Sequence, residues 1–176
     1  MRYCRLRVNE GKSAVASPTK RKFLGYSFYY KNGTYRLRVH PKSLNRLKDK
    51  VREVTNRNVS MNFETRLKKL IEKTRGWVNY FKLADMSKSL KEMDGWIRRR
   101  LRACIWKTWK KIRTRFTSLN KLGIDRNKAW EFANTRKGYW RISNSPILDK
   151  TLTNEMLELK GYVSFSKQYQ RTKLCL

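Results

Sequence analysis

A mainly α-helical fold, with a small antiparallel β-hairpin ahead of the helices (α+β in its first part), is what this sequence predicts. Three observations carry that reading. Between residues 42 and 122, apolar residues recur at spacings of three and four, the period of an amphipathic helix. Ahead of them, Asn32-Gly33 separates two strand-like runs, a strong hairpin signal because both residues tolerate positive φ. Behind them, helix caps and stops recur at short intervals. The 176 residues therefore divide into strands over 1–41, a helical bundle over 42–123 and a small helical segment over 124–176.

In chain order, Arg5-Leu6-Arg7-Val8 alternates and reads as an additional strand. Phe23 to Tyr30 is aromatic-rich and Tyr35-Arg36-Leu37-Arg38-Val39 alternates, so these form the hairpin, which looks like the edge of a larger sheet. Leu44, Leu47, Val51 and Val54 mark the buried face of a first helix. Asn62 is the predicted N-cap of a second, with its stripe at Leu67, Leu70, Ile71, Trp77, Val78 and Phe81. Ser87 caps a long third helix carrying Leu90, Met93, Ile97, Leu101, Ile105, Ile112 and Leu119, with Gly123 just beyond its end. Asp125 caps a short helix through Trp130 and Phe132 that ends near Gly138. Ser145-Pro146 opens another that Gly161 stops, and Ser164 opens a last one.

Charge narrows the function. Forty-four Lys and Arg face 13 Asp and Glu, for a formal net charge of +31. Such a chain repels itself unless a polyanion is near, and nucleic acid fits because phosphate contacts release condensed counterions. An acidic membrane fits less well, since interfacial helices gather their large apolar residues in one stripe. No stretch is long and apolar enough to span a bilayer, and the opening residues lack a signal peptide's apolar run, so a cytoplasmic chain without a membrane partner is expected. Cys4, Cys104 and Cys175 are widely spaced with no Cys-x-x-Cys, which indicates neither a disulfide framework nor a zinc knuckle. No metal or cofactor is expected.

The segment from Trp96 to Arg115 contains no acid. On an ideal helix Leu90, Ile97, Leu101, Ile105, Thr108 and Ile112 share one side. Arg99, Arg102, Lys110 and Arg113 lie opposite, with Trp106 among them and Lys107 on the flank. A solvated face would mix charge signs for i,i+4 pairing. This one suits phosphates, held by arginine forks, and a base stacked on an aromatic. The RNA-binding candidates are therefore Arg98, Arg99, Arg100, Arg102, Trp106, Lys107, Lys110, Lys111, Arg113 and Arg115, while Trp109 falls near the core edge and packs. In Arg75-Gly76-Trp77-Val78-Asn79-Tyr80-Phe81, Trp77 and Phe81 are core, and Arg75 and Tyr80 are weaker candidates for RNA. Arg136, Lys137, Tyr139, Trp140 and Arg141 form a basic, aromatic cluster suited to DNA or RNA; Trp140 serves equally well as a packing anchor.

Taken in series, these segments resemble the C-terminal part of group II intron-encoded reverse transcriptases, the maturases. Phe23-Leu24-Gly25-Tyr26-Ser27-Phe28 resembles their last palm segment. Gly76-Trp77-Val78-Asn79-Tyr80-Phe81, the Trp96–Lys110 run and Lys137-Gly138-Tyr139-Trp140-Arg141 resemble the maturase-specific domain X and the segment after it. The resemblance implies a helical thumb beside a remnant of palm sheet, followed by a small DNA-binding segment. It implies intron RNA as partner, held in its folded form so that the RNA splices itself. Target DNA and a separate chain supplying palm and fingers are further partners it admits.

The family's polymerase needs a pair of adjacent aspartates, and a third earlier in the palm, to hold two metal ions. This chain has Leu83-Ala84-Asp85-Met86, which falls inside a predicted helix, and no adjacent acids. Catalysis by the chain alone is not expected. His40, before Pro41 at a strand end, reads as structural, and no nucleophile elbow or phosphate-binding glycine loop is present. Two other readings stay open: an unrelated basic, ribosome-associated factor, and one half of a split reverse transcriptase.

Overall fold

A computed structural model describes residues 15–174. After a short 3₁₀ turn at Pro18–Lys20, the strands β1 (Lys22–Phe23), β2 (Tyr26–Lys31) and β3 (Thr34–Val39) form one antiparallel sheet in that order. β2 and β3 pair from Tyr26↔Val39 to Lys31↔Thr34, and Asn32-Gly33 makes the predicted turn, both residues at positive φ (51° and 77°). The aromatic run, expected as one strand from Phe23 to Tyr30, is broken by a second such turn at Leu24-Gly25 (φ 50° and 87°). The third strand is thus Lys22–Phe23; the Arg5–Val8 expectation lies outside the described residues, as do Cys4 and Cys175.

Gly25 joins the sheet to the helices. Its carbonyl accepts from His40 N (2.9 Å) and Ser43 Oγ (3.1 Å), and a Cβ here would sit 2.9 Å from the Phe81 ring. His40 caps α1 (Pro41–Val54) by accepting from Lys42 N through Nδ1 at 3.1 Å. Burial, with Lys22, Lys42 and Arg38 nearby, lowers its pKa, which keeps that nitrogen free to accept. Asn62 caps α2 (Phe63–Tyr80) as predicted. The segment Leu83–Met86, expected inside a helix, is the link between α2 and α3 (Ser87–Thr108); Asp85 N donates to Leu37 O at 2.8 Å, pinning the link to the sheet. Ser87 is the first helical residue rather than the cap, a position held by Met86 in the core.

The single helix expected from Ser87 to Leu119 is two. α3 ends at Thr108, and α4 (Ile112–Lys121) follows after Trp109–Lys111. Thr108 Oγ1 closes on Ile105 O (2.6 Å), a local bond that competes with helix propagation. Arg115 Nε then takes the Trp109 carbonyl at 2.9 Å and holds α4 folded back. This break shifts the helical phase, so Ile112, placed on the apolar stripe by sequence, is exposed.

Asp125 caps α5 (Arg126–Ala133), which ends before Gly138, leaving room for the short α6 (Tyr139–Ile142). The helix expected between Ser145 and Gly161 is also two, α7 (Pro146–Thr151) and α8 (Asn154–Leu159). Thr153 interrupts it because its hydroxyl caps α8 by accepting from Met156 N at 3.2 Å. α9 (Phe165–Leu174) begins next to Ser164 as predicted and packs on α2 and α3.

The α9 docking is polar. Asp94 of α3 is buried and accepts from Tyr162 Oη (2.6 Å), Ser164 Oγ (2.7 Å), Phe165 N (2.8 Å), Ser166 N (3.0 Å) and Ser166 Oγ (2.7 Å). A carboxylate at a helix N-terminus satisfies its orphan amides and complements its dipole. Burial, and then the Asp94 charge, push the Tyr162 phenol well above its ordinary range. One hydrophobic core runs from Val39 in the sheet through the helices to Tyr169 in α9.

Candidate nucleic-acid interface

Leu90, Ile97, Leu101 and Ile105 of α3 are buried, as the sequence predicts. The arginines between them mostly face protein. Arg99 lies 3.9 Å over the Trp140 ring and donates to the Trp140 carbonyl at 2.9 Å. Arg100 donates to Thr55 Oγ1 (2.5 Å) and Arg52 O (3.3 Å), beside the Trp96 ring. Arg102 donates to Leu152 O at 2.9 Å and pairs with Asp149. Arg115 donates to Trp109 O and Ala133 O and covers the Trp106 ring at 4.9 Å. Arg98 is half-buried. Burial is the first cause that lowers the pKa of both Arg100 and Arg102.

Trp106, expected on the wet face, is instead in the core at 1% exposure. Trp109 meets it edge-on with centroids 5.6 Å apart, and Arg115 lies on its ring. The α3–α4 break brings those two residues onto the side of α3 that a continuous helix would have left open. Stacking of a base on Trp106 is therefore ruled out by its burial.

What α3 does offer is a groove against the loop between α1 and α2. Two clefts flank Arg57 and Asn58. One, of about 310 Å³, is lined by Arg57, Asn58, Arg100 and Trp140; the other, of about 250 Å³, by Asn58, Phe63, Lys107 and Lys110. No acid lines either. Lys107 Nζ donates to Asn58 Oδ1 at 3.0 Å, and Arg57 sits 5.2 Å over the Tyr139 ring. Cys104 stands between the clefts, its thiol donating to Thr55 O at 3.3 Å and pushed up in pKa by burial.

The loop keeps its shape through Arg66, which sequence reasoning missed. This buried guanidinium donates to the carbonyls of Val54, Asn56 (3.0 Å) and Val59 (3.0 Å). The signal was spacing: Arg66, Leu70 and Thr74 recur every four residues on the buried face of α2.

The other predicted residues are spread more widely. Lys110, Lys111 and Arg113 are exposed where α3 gives way to α4. Arg136, Lys137 and Arg141 are exposed around α6, Tyr139 is half-buried, and Trp140 is 39% exposed. Trp140 packs as an anchor under Arg99 and also lines one of the clefts. Tyr80 is half-exposed but structural in its bonds: its hydroxyl donates to Leu24 O at 2.9 Å and its ring meets Phe81 edge-on. Arg75 is exposed on a different part of α2. Among the described residues, no group of three or more His, Cys, Asp or Glu could hold a metal, and no helix is long and apolar enough to cross a membrane.

Residues 44–123 match the family described as the group II intron, maturase-specific domain. That span is similar to a maturase-specific domain. The matched span covers nearly all of α1 and the whole of α2, α3 and α4, and with them the loop and most of the groove. No curated protein matches the chain significantly. Trp140 and Tyr139 lie beyond the matched span, yet they close one end of a groove whose other walls belong to that span.

Proposed function

We propose that this chain binds the RNA of a group II intron and stabilises its folded, self-splicing form without supplying chemistry of its own. One observation carries the reading: two adjoining acid-free clefts share Arg57 and Asn58, one of them lined by Trp140 and the other by Lys107 and Lys110. Cations positioned for phosphates along such clefts suit the loops and bulges of a structured RNA. The maturase-specific domain gives that RNA its identity. The exposed Arg136, Lys137 and Arg141 beyond it extend the basic surface toward a second nucleic acid, target DNA in this reading. Such a role places the chain with the intron transcript, in the cytoplasm. Binding of the purified chain to its flanking intron RNA, against a scrambled RNA of equal length, tests the proposal. Preference for the native RNA is expected, and equal affinity for both would reject it.

A second reading, one half of a split reverse transcriptase, is favoured by the hairpin. Among the described residues, Phe23, Leu24, Tyr30 and Tyr35 leave large apolar surfaces exposed around a sheet whose outer edges no further strand covers. Primer extension on an RNA template, with and without a palm-bearing partner, separates the two. The chain alone is expected to extend nothing.

A further inference from the structure

A second cationic cleft lies between α2 and α9. Its walls carry Arg75, Lys82 and Arg171, its floor includes Ile71 and Val163, and its volume is about 640 Å³. Gln168 Nε2 donates to the Arg75 carbonyl at 3.3 Å and ties one wall to the other. No acid lines it. Asp85, close by in the chain, is already engaged by Tyr29, Arg36 and Lys173. Among the described residues the side chains of Arg75, Lys82 and Arg171 make no ion pair, in contrast to Arg102 or Lys167.

Three like charges around one cleft repel unless an anion sits between them. The C-terminal ends of α2 and α9 offset part of this, together about one negative charge. That leaves a surplus fit for an anionic ligand. The apolar floor, with 40% of Val163 exposed, suits the sugar and base of a nucleotide as well as its phosphate. The cleft is separate from the groove on α3. Arg66, which lines the groove, and Arg75 are about two and a half turns apart on α2, so they lie on opposite sides of it.

We infer that the Arg75–Lys82–Arg171 cleft is a second phosphodiester-binding site, holding another strand segment of RNA on the side of α2 opposite the Arg57–Lys110 groove. The inference rests on the RNA-binding reading above and adds to it that the chain clamps two segments rather than lying along one. A straight duplex cannot enter both clefts, so an RNA that does must fold around the helix.

The test is stoichiometry with the full chain. An RNA hairpin too short to reach around α2 is titrated at moderate salt, and bound hairpins per chain are counted by analytical ultracentrifugation. Two are expected. Arg75→Gln, Lys82→Gln and Arg171→Gln together should leave one, and Arg57→Gln with Lys110→Gln should also leave one. If the triple variant loses helix content, Arg171→Gln alone, at the solvent side of the cleft, should weaken only the second binding event. One hairpin on the wild type, lost only in the groove variant, would leave the RNA reading standing and overturn the second site. Binding of a polyglutamate peptide at the cleft, with RNA unaffected by the triple variant, would overturn it equally. No hairpin bound anywhere would defeat the RNA-binding reading itself.

Discussion

Guanidiniums turn inward from Arg99 to Arg102 and again at Arg115, toward the carbonyls of Trp140, Arg52, Leu152, Trp109 and Ala133. From Lys107 to Arg113 the cations instead line a cleft or stand in solvent. The two halves belong to one acid-free run and carry similar charge, so charge alone does not assign a role. The difference lies in the head group and its neighbours. With 13 acids for 44 cations, this chain has too few carboxylates to pair most of its arginines, and a planar fork of donors bonds backbone carbonyls well. Arg66, with three carbonyls, is the fullest case. Ammonium groups are more strongly hydrated, and Lys110 and Lys111 stay outside.

Mutation separates the two halves. The strongest response should come from Trp106→Ala, at the centre of the inward half. Removing a fully buried tryptophan should cost ~3–5 kcal/mol of stability, read as a fall in the urea midpoint. A fully stable variant with weakened RNA binding would return Trp106 to the surface. Asp94→Asn should come next, at ~3 kcal/mol, because it sets an amide against five donors aimed at a carboxylate. Its melting temperature should fall, with α9 amides exchanging hydrogen first.

Arg102→Gln should cost ~1–2 kcal/mol, since one partner is the backbone carbonyl of Leu152 and the other the half-exposed Asp149. Equilibrium unfolding checks this, and no loss of stability would mean that its bonds are incidental. The least destabilising change belongs to the outward half. Lys110→Gln, Lys111→Gln and Arg113→Gln together should stay within ~0.5 kcal/mol per site. The same variant should bind intron RNA with a shallower salt dependence, by about 0.7–0.9 in slope for each phosphate that no longer meets a cation. An unchanged slope would put the RNA elsewhere on the surface.

Much of this was legible in the sequence, for identifiable reasons. The Asn32-Gly33 turn, the Asn62 and Asp125 caps and the stripe from Leu90 to Ile105 rest on local rules, and local rules sufficed. The misplacement of Trp106 came from the end of α3 and what folds back over it. Extending α3 through Ile112 treated Trp109–Lys111 as helical, and no propensity records that Arg115 would take the Trp109 carbonyl. The groove was half legible. Lys107, Lys110 and Trp140 could be named from composition, but Arg57 and Asn58 could not. They sit in a loop whose position depends on Arg66, and a buried arginine reads in sequence as one more surface cation. Leu24-Gly25 was hidden for a different reason, because Leu24 takes a positive φ that leucine rarely adopts.

Whether RNA is held by the groove or by the inward arginines is decided by the salt dependence of intron RNA affinity. If about six phosphates are contacted, log K against log salt should have a slope near −4 to −5 for the wild type. Arg57→Gln with Lys110→Gln should flatten it by about 1.4–1.8, with helix content unchanged. A wild-type slope near zero, or a slope that the double variant leaves as steep as before, would refute RNA binding by the groove.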